Sequence, residues 1–322
     1  MTMPLLEVKK LTKRYPVTKG IFKRPVGSIG AVDGVSFGIN EGQTFGLVGE
    51  SGCGKTTLGR CILQTIRPGS GQIIFKGEEI SFKTKTRPKS LSSRMQVVFQ
   101  DPYSSLNPRH KIRDIILEPL MIQGDVTKTA MFERLKRLYE LTGLEEDMGE
   151  RYPHMLSGGQ LQRVCIARAM IVQPSFVVCD EPVASLDVSI RAQILNLFKS
   201  LQKELNVSYL FISHDLSVVH YISDIVAVMY LGKIVEISPK AELYKNPLHS
   251  YTHALLSAIP IPDPILERQR RRDIVKGEVP SALNVPSGCR FHPRCPDAKK
   301  ICSEEEPELR EASPGHWVGC HI

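Results

Sequence analysis

The segment Gly49-Glu-Ser-Gly-Cys-Gly-Lys-Thr-Thr57 constrains the fold of this chain more than any other feature. It fits the pattern G-x-x-x-x-G-K-[ST] and lies between a predicted strand, 44–48, and a helix predicted to extend to about residue 66. Glycines let backbone N–H groups turn inward around phosphate oxygens, and the N-terminus of the helix adds partial positive charge. The sequence therefore predicts a bound nucleoside triphosphate, with Lys55 at its β- and γ-phosphates and the Thr56 hydroxyl on Mg²⁺. The residues predicted to bind the nucleotide here are Gly49, Glu50, Ser51, Gly52, Cys53, Gly54, Lys55, Thr56 and Thr57.

Two acidic residues follow a second apolar run, Phe176–Cys179. In open α/β sheets, ligands bind outside the carboxyl ends of the strands, which is where these two residues would lie. We predict that Asp180 binds Mg²⁺ and that Glu181 is the catalytic base that orients the attacking water.

A third motif, Leu156-Ser-Gly-Gly-Gln160, precedes a helix predicted over 158–172. Ser157 is a good N-cap, so an ordinary helix start is one interpretation. The other is a second phosphate-binding helix terminus, because N–H groups and the helix dipole face outward there. Two such termini in one chain indicate a nucleotide shared between two subunits.

The order of apolar patterns predicts an α/β protein with parallel strands, because predicted helices alternate with short apolar strands. A basic stretch punctuated by Gly and Pro, 19–28, is predicted as a surface loop. Helical spacing dominates from about 102 to 172, which indicates a helical insertion. Composition changes after Ala258, so we predict a nucleotide-binding domain over 1–258 and a C-terminal extension over 259–322.

Composition limits the partners. A net charge of +8, from 42 Lys and Arg against 34 Asp and Glu, favours anionic partners such as nucleotides, nucleic acid or a membrane surface. No apolar run approaches the roughly 18–20 residues of a membrane span, and residues 1–10 lack the pattern of a signal peptide. We therefore expect a cytoplasmic chain that reaches a membrane only through a partner.

Taken together, these motifs resemble the ATP-binding-cassette (ABC) family over residues 5 to about 258. The resemblance implies a RecA-like mixed sheet core, an antiparallel β subdomain and a helical subdomain at about 102–172. It also implies that Ser157, Gly158, Gly159 and Gln160 form the signature motif, which contacts ATP held by a partner subunit. Further implied roles are Tyr15 stacking on adenine, Gln100 sensing Mg²⁺, Asp187 as the D-loop acid and His214 on the γ-phosphate.

A finer resemblance is to the second (F-type) ATPase subunit of oligopeptide and dipeptide importers, on Gln100–Arg109, Asn246–Pro260 and the loop after Tyr15. It implies an ATPase at the cytoplasmic face of the membrane that powers peptide import. The implied partners are a second ATPase subunit of D-type, two membrane permeases and an extracytoplasmic peptide-binding protein. The motifs depart from the family at Ser250, where proline is usual, and at Ala184-Ser185. Two alternatives are a nickel or other small-solute importer and a soluble ATPase acting on nucleic acid.

Four of the eight cysteines, Cys289, Cys295, Cys302 and Cys320, lie in the C-terminal extension. In a cytoplasmic chain this grouping favours a metal site over disulfides, although the spacing is not that of a zinc ribbon. Scattered buried cysteines or disulfides are the alternatives. The family resemblance implies a 4Fe-4S cluster, with Zn²⁺ as the other candidate. The basic run Arg268–Arg272 indicates a solvated face or a contact with lipid phosphates.

Overall fold

The structure is a computed structural model that describes residues 3–20, 24–80, 89–124, 126–259 and 277–321. Its strands are β1 (Leu6–Lys19), β2 (Arg24–Ile39), β3 (Thr44–Val48), β4 (Ser70–Phe75), β5 (Glu78–Glu79), β6 (Met95–Val98), β7 (Phe176–Asp180), β8 (Ser208–Ile212), β9 (Ile225–Tyr230), β10 (Lys233–Pro239), β11 (Arg310–Ser313) and β12 (His316–Val318). Its helices are α1 (Lys55–Ile62), α2 (Lys89–Arg94), α3 (Pro102–Ser105), α4 (Ile112–Gln123), α5 (Lys128–Thr142), α6 (Gly158–Met170), α7 (Val188–Leu205), α8 (Leu216–Ile222), α9 (Lys240–Lys245), α10 (Ser250–Ser257) and α11 (Lys300–Glu304). Short 3-10 helices lie at Glu146–Glu150, Pro153–Met155 and His292–Arg294.

The larger sheet has the strand order β11-β12-β10-β9-β3-β8-β7-β6. Strands β9, β3, β8, β7 and β6 are parallel to one another, whereas β10, β12 and β11 join antiparallel. Every residue of β3 and β8 is buried, as expected for parallel strands that are covered on both faces. The predicted α/β fold with a mixed sheet is confirmed.

The smaller sheet is antiparallel, in the order β2-β1-β4-β5. It corrects the prediction of a surface loop over 19–28, because β2 begins at Arg24 and pairs with β1 as far as Lys19. Glycine and proline residues occur in exposed strand ends as well as in loops. The exposed end of this hairpin is therefore predicted as a loop.

Between β6 and β7 the chain forms the helices α3 to α6. One apolar core holds α4, α5 and α6 together, with Ile115, Leu138 and Leu161 each at most 5% exposed. This core continues under β7 and β8 through Val177 and Phe211, so the helices rest on the parallel sheet. The strand ends and helix starts at its carboxyl edge are thereby fixed relative to one another.

The C-terminal extension packs directly on the larger sheet. Strand β12 pairs with β10, where Glu236 lies opposite Val318 and Ile237 opposite Trp317. The two strands of the extension, β11 and β12, therefore belong to the same sheet as the preceding part of the chain. The basic run Arg268–Arg272 lies outside the described residues.

Across the ranges that the structure covers, we find no helix with both the length and the hydrophobicity that crossing a bilayer demands.

Candidate active site

The phosphate-binding loop predicted from the sequence joins β3 to α1. Gly49 has φ +152°, and a Cβ there would lie 2.1 Å from the Met229 carbonyl oxygen. Gly54 has φ +113°, and its Cβ would lie 1.9 Å from the Ala31 carbonyl oxygen. Both positions therefore require glycine, because the loop backbone packs tightly against β9 and β2.

Lys55 begins α1 and is 5% exposed. Its Nζ donates to the carbonyl oxygens of Gly49, at 2.7 Å, and Glu50, at 3.1 Å. The ammonium group therefore lies over the loop with neutral acceptors around it. A phosphate oxygen is a stronger acceptor for it than either carbonyl, because that hydrogen bond joins opposite charges.

Thr56 and Asp180 meet where α1 begins and β7 ends. The Thr56 hydroxyl donates to Asp180 Oδ1 at 2.9 Å. Burial raises the pKa of the Asp180 carboxyl, and the hydrogen bond from Thr56 opposes that shift. A hydroxyl and a carboxylate at this distance form the oxygen donor set that Mg²⁺ prefers in phosphate sites.

Glu181 and His214 form a second pair, next to the first. Glu181 Oε2 lies 3.0 Å from His214 Nδ1, and their side chains are 16% and 53% exposed. Glu181 has φ +51°, a left-handed conformation that costs about 1 kcal/mol or more in a residue with a side chain. Its N–H donates to the Ile212 carbonyl at 3.0 Å, so the end of β8 holds this turn in place.

The motif at 156–160 forms the start of α6. Ser157 caps the helix: its Oγ accepts from the Gln160 N–H at 3.4 Å, and Gln160 Oε1 accepts from the Ser157 N–H at 2.9 Å. The interpretation of Ser157 as an N-cap is confirmed. Contact of this motif with a partner's ATP stays a prediction.

Asp187 caps α7, which packs against the start of α6. Its Oδ1 accepts from the N–H groups of Ser189 and Ile190, both at 3.0 Å. These hydrogen bonds lower the pKa of the Asp187 carboxyl, and the bond from Ile190 has the largest effect. Asp187 and the motif at 156–160 are therefore neighbours, because Ile190 lies close to Gly159.

Tyr15 and Gln100 are the two other residues predicted to bind ATP or Mg²⁺. Tyr15 is on β1, with Lys13 Nζ 5.2 Å from its ring centroid, and Gln100 is exposed just after β6. Within the described ranges, neither side chain forms a hydrogen bond with the phosphate loop.

Sequence reasoning missed Arg191. It donates to the Leu186 carbonyl at 3.1 Å and to Asp215 Oδ2 at 3.2 Å. It therefore connects the segment before Asp187 to the turn that carries His214. An arginine in the first turn of a helix gives no local signal of such a role.

Two residues of the C-terminal part also touch the phosphate loop, and the sequence did not indicate either contact. Tyr251 Oη accepts from the Glu50 N–H at 2.9 Å, and Arg294 binds the Glu50 carboxylate. Both lie about 200 residues or more after Glu50, so only the folded chain reveals them.

The predicted iron–sulfur or zinc site is not supported. Burial raises the pKa of the Cys289 thiol, and the thiols of Cys295, Cys302 and Cys320 add to that effect, so the four lie in one region. Nevertheless, in the part of the chain that the structure describes, no three His, Cys, Asp or Glu side chains are arranged to hold a metal ion. The thiols as placed do not fit such a group, which needs convergent thiolates.

Two family models match the chain. One, described as ABC transporter, matches residues 32–184. The other, described as oligopeptide/dipeptide transporter, C-terminal region, matches residues 235–302. The first model therefore covers the phosphate loop, Asp180 and Glu181, and the second covers Tyr251 and Arg294.

Individual proteins agree with these matches. The oligopeptide transport ATP-binding protein AppF of Bacillus subtilis is 50% identical over 99% of this chain and 97% of its own length. A subunit of the ABC transporter complex CbiONQ of Clostridium perfringens has 26% identity and a TM-score of 0.65, covering 76% of this chain and 92% of that one. An ATP-binding cassette dimer in a post-hydrolysis state with ADP and phosphate has 25% identity and a TM-score of 0.61, covering 73% and 98%.

Proposed function

This chain belongs to the family of ABC transporter ATP-binding proteins, and we propose that it is the ATP-hydrolysing subunit of an oligopeptide or dipeptide importer. The observation that carries the chemistry is the adjacency of two pairs, Thr56 with Asp180 and Glu181 with His214, beside the phosphate loop. The full-length likeness to an oligopeptide transport ATP-binding protein supports the cargo.

The residues divide the work as follows. The loop N–H groups and Lys55 bind the phosphates of ATP. Thr56 and Asp180, with Gln100, would hold Mg²⁺, which neutralises phosphate charge when it is bound. Glu181 accepts a proton from the attacking water. His214 holds the Glu181 carboxylate through the 3.0 Å contact, and the His214 side chain faces the γ-phosphate.

We propose that two ATPase subunits face each other. Residues 157–160 of one subunit would then complete the site formed by residues 49–57 of the other. The capped start of α6 supports this arrangement, because its outward N–H groups and helix dipole favour an anion. The second subunit is proposed to be a D-type paralogue.

Membrane permeases and an extracytoplasmic peptide-binding protein are the other proposed partners. The chain would act at the cytoplasmic face of the membrane and attach through the permeases. The match of residues 235–302 to the C-terminal region of oligopeptide and dipeptide transporters favours peptide import over nickel import or action on nucleic acid. No step of the proposed reaction uses the four thiols of the C-terminal extension.

The substitution Glu181→Gln tests the assignment of the base. It keeps the size and hydrogen-bonding capacity of the side chain but removes proton acceptance, so MgATP binding should stay within about threefold and turnover should fall at least about 100-fold. Binding by calorimetry and steady-state phosphate release are the two measurements.

Glu204→Gln on the exposed end of α7 is the matched control and should hydrolyse ATP like the unsubstituted chain. Unchanged hydrolysis in Glu181→Gln would refute the role of Glu181.

A further inference from the structure

The segment 289–295 of the C-terminal extension lies beside the phosphate loop. Phe291 in this segment is 1% exposed and packs against the rings of Tyr230, at 5.4 Å between centroids, and Tyr251, at 5.3 Å. Phe291 therefore anchors the segment beside the loop.

An arginine lies on each side of this anchor, and each makes an ion pair with a different partner. Arg290 binds Asp33 on β2 and the Leu231 carbonyl. Arg294 binds Glu50 with both ends of its guanidinium group, Nη1 to Oε2 at 2.9 Å and Nη2 to Oε1 at 3.0 Å. The Arg294 side chain is only 8% exposed and that of Glu50 is 27% exposed. Paired, partly buried bonds of this kind belong to the stronger class of charge-assisted interactions.

Glu50 is the second residue of the phosphate loop, and the fold holds it at three points. Its carboxylate binds Arg294, its N–H donates to Tyr251 Oη at 2.9 Å, and its carbonyl accepts from Lys55 Nζ at 3.1 Å. The same side of the loop lines a cavity of about 160 Å³ together with Val279, Pro280 and Ala282. The C-terminal extension therefore forms part of the surroundings of the loop.

A carboxylate in a loop that binds phosphates raises an electrostatic problem. At partly buried sites, two like charges several ångströms apart repel each other, and water screens this repulsion poorly. Unless a cation neutralises it, the Glu50 carboxylate would oppose the binding of ATP. Within the described residues, Arg294 is the cation that forms an ion pair with it.

We propose that Arg294 is a positioning residue for nucleotide binding: it neutralises Glu50 and holds the carboxylate on the side of the loop that faces the C-terminal extension. The inference rests on the proposed ATP-binding function and adds to it a residue from outside the cassette motifs. Arg294 does not touch the reacting atoms; it acts through Glu50.

Binding of MgATP to the full chain, measured by calorimetry, tests the proposal. Arg294→Gln should raise the Kd for MgATP about tenfold, because the Glu50 charge is left unpaired. Combining it with Glu50→Gln should return the Kd to within about threefold of the unsubstituted value, because the repulsion disappears. A purely structural role predicts no such rescue. The kcat of the assembled ATPase at saturating MgATP should change less than about twofold, with the loss confined to KM.

Arg290→Gln is the matched control, because it loosens the same segment without touching Glu50, and it should leave the Kd unchanged. Arg294→Lys keeps the charge and should bind MgATP within about threefold of the unsubstituted chain, which tests the idea even if the glutamine variant does not fold.

Three results would overturn the inference alone: normal binding by a folded Arg294→Gln, no rescue in the double variant, or equal weakening by Arg290→Gln or Arg294→Lys. If the unsubstituted chain failed to bind MgATP, the proposed function would fall as well.

Discussion

Asp180 occupies a position where its charged carboxylate lowers the stability of the folded chain. It ends a strand of which the first four residues are fully buried, and burial raises the pKa of its carboxyl. The folded chain therefore binds this proton more tightly than the unfolded chain does. The free energy of unfolding consequently falls as pH rises through the pKa of Asp180 in the folded state. This cost in stability is consistent with the proposed role of the carboxylate as a Mg²⁺ ligand.

The variant Asp180→Asn should therefore melt at a higher temperature than the unsubstituted chain near neutral pH without nucleotide. The difference should shrink as the pH is lowered from neutral into the acidic range, because the raised pKa lets the carboxyl of the folded chain become protonated. Added MgATP should stabilise the unsubstituted chain more than the variant. Melting curves over this pH range provide the measurement. Asp147→Asn, on the exposed surface, is the control. A variant that melts at or below the temperature of the unsubstituted chain near neutral pH would contradict the argument.

At the residue scale, the sequence indicated those candidate site residues that belong to a continuous local motif. Lys55 and Thr56 follow glycines at fixed spacing, and Asp180 and Glu181 follow an apolar strand, so local patterns suffice to identify them. Arg294 gave no such signal, because its partner Glu50 is 244 positions away. Pairs of this kind depend on how the whole chain folds.

At the scale of elements, the junction of α6 and α7 brings together the two segments that the family resemblance assigns to the signature motif and the D-loop. A Cβ on Gly159 would lie 2.6 Å from Ile190 Cγ2, whereas one on Gly158 would come no closer than 4.0 Å to Leu186 Cδ2. These two adjacent glycines both lie in the first turn of α6, but only Gly158 has room for a Cβ atom.

Gly159→Ala should lower the free energy of unfolding by about 1 kcal/mol, because overpacking costs more than alanine gains in a helix. Gly158→Ala is the matched comparison and should be neutral or slightly stabilising. Denaturant titration of the two variants measures both values. Equal stabilities would show that Ile190 moves aside freely.

Buried strands are easier to predict from the sequence than exposed strands. The predicted strand at 44–48 became β3 with the same bounds, because all its residues are buried in a parallel sheet and such strands are largely apolar. The stretch 19–28 did not read as a strand, because most of its described side chains are exposed and its pairing with β1 is a backbone property. Burial leaves a pattern in the sequence, and backbone pairing alone does not.

At the scale of the molecule, the C-terminal extension is joined to the nucleotide site. Composition marks a break near residue 258, yet β12 extends the larger sheet and His316 Nε2 lies 2.7 Å from Glu236 Oε1, with both side chains at most 1% exposed. The sequence could place the break but not these contacts.

The central claim is that this chain converts ATP hydrolysis into peptide import. The most direct measurement is phosphate release and labelled-peptide uptake by the full importer, reconstituted in vesicles with its permeases, partner ATPase and binding protein. We expect peptide-loaded binding protein to raise hydrolysis several-fold and to drive ATP-dependent uptake, with both lost in Glu181→Gln. Stimulation by Ni²⁺ or by nucleic acid in place of peptide, or hydrolysis indifferent to peptide, would contradict the account.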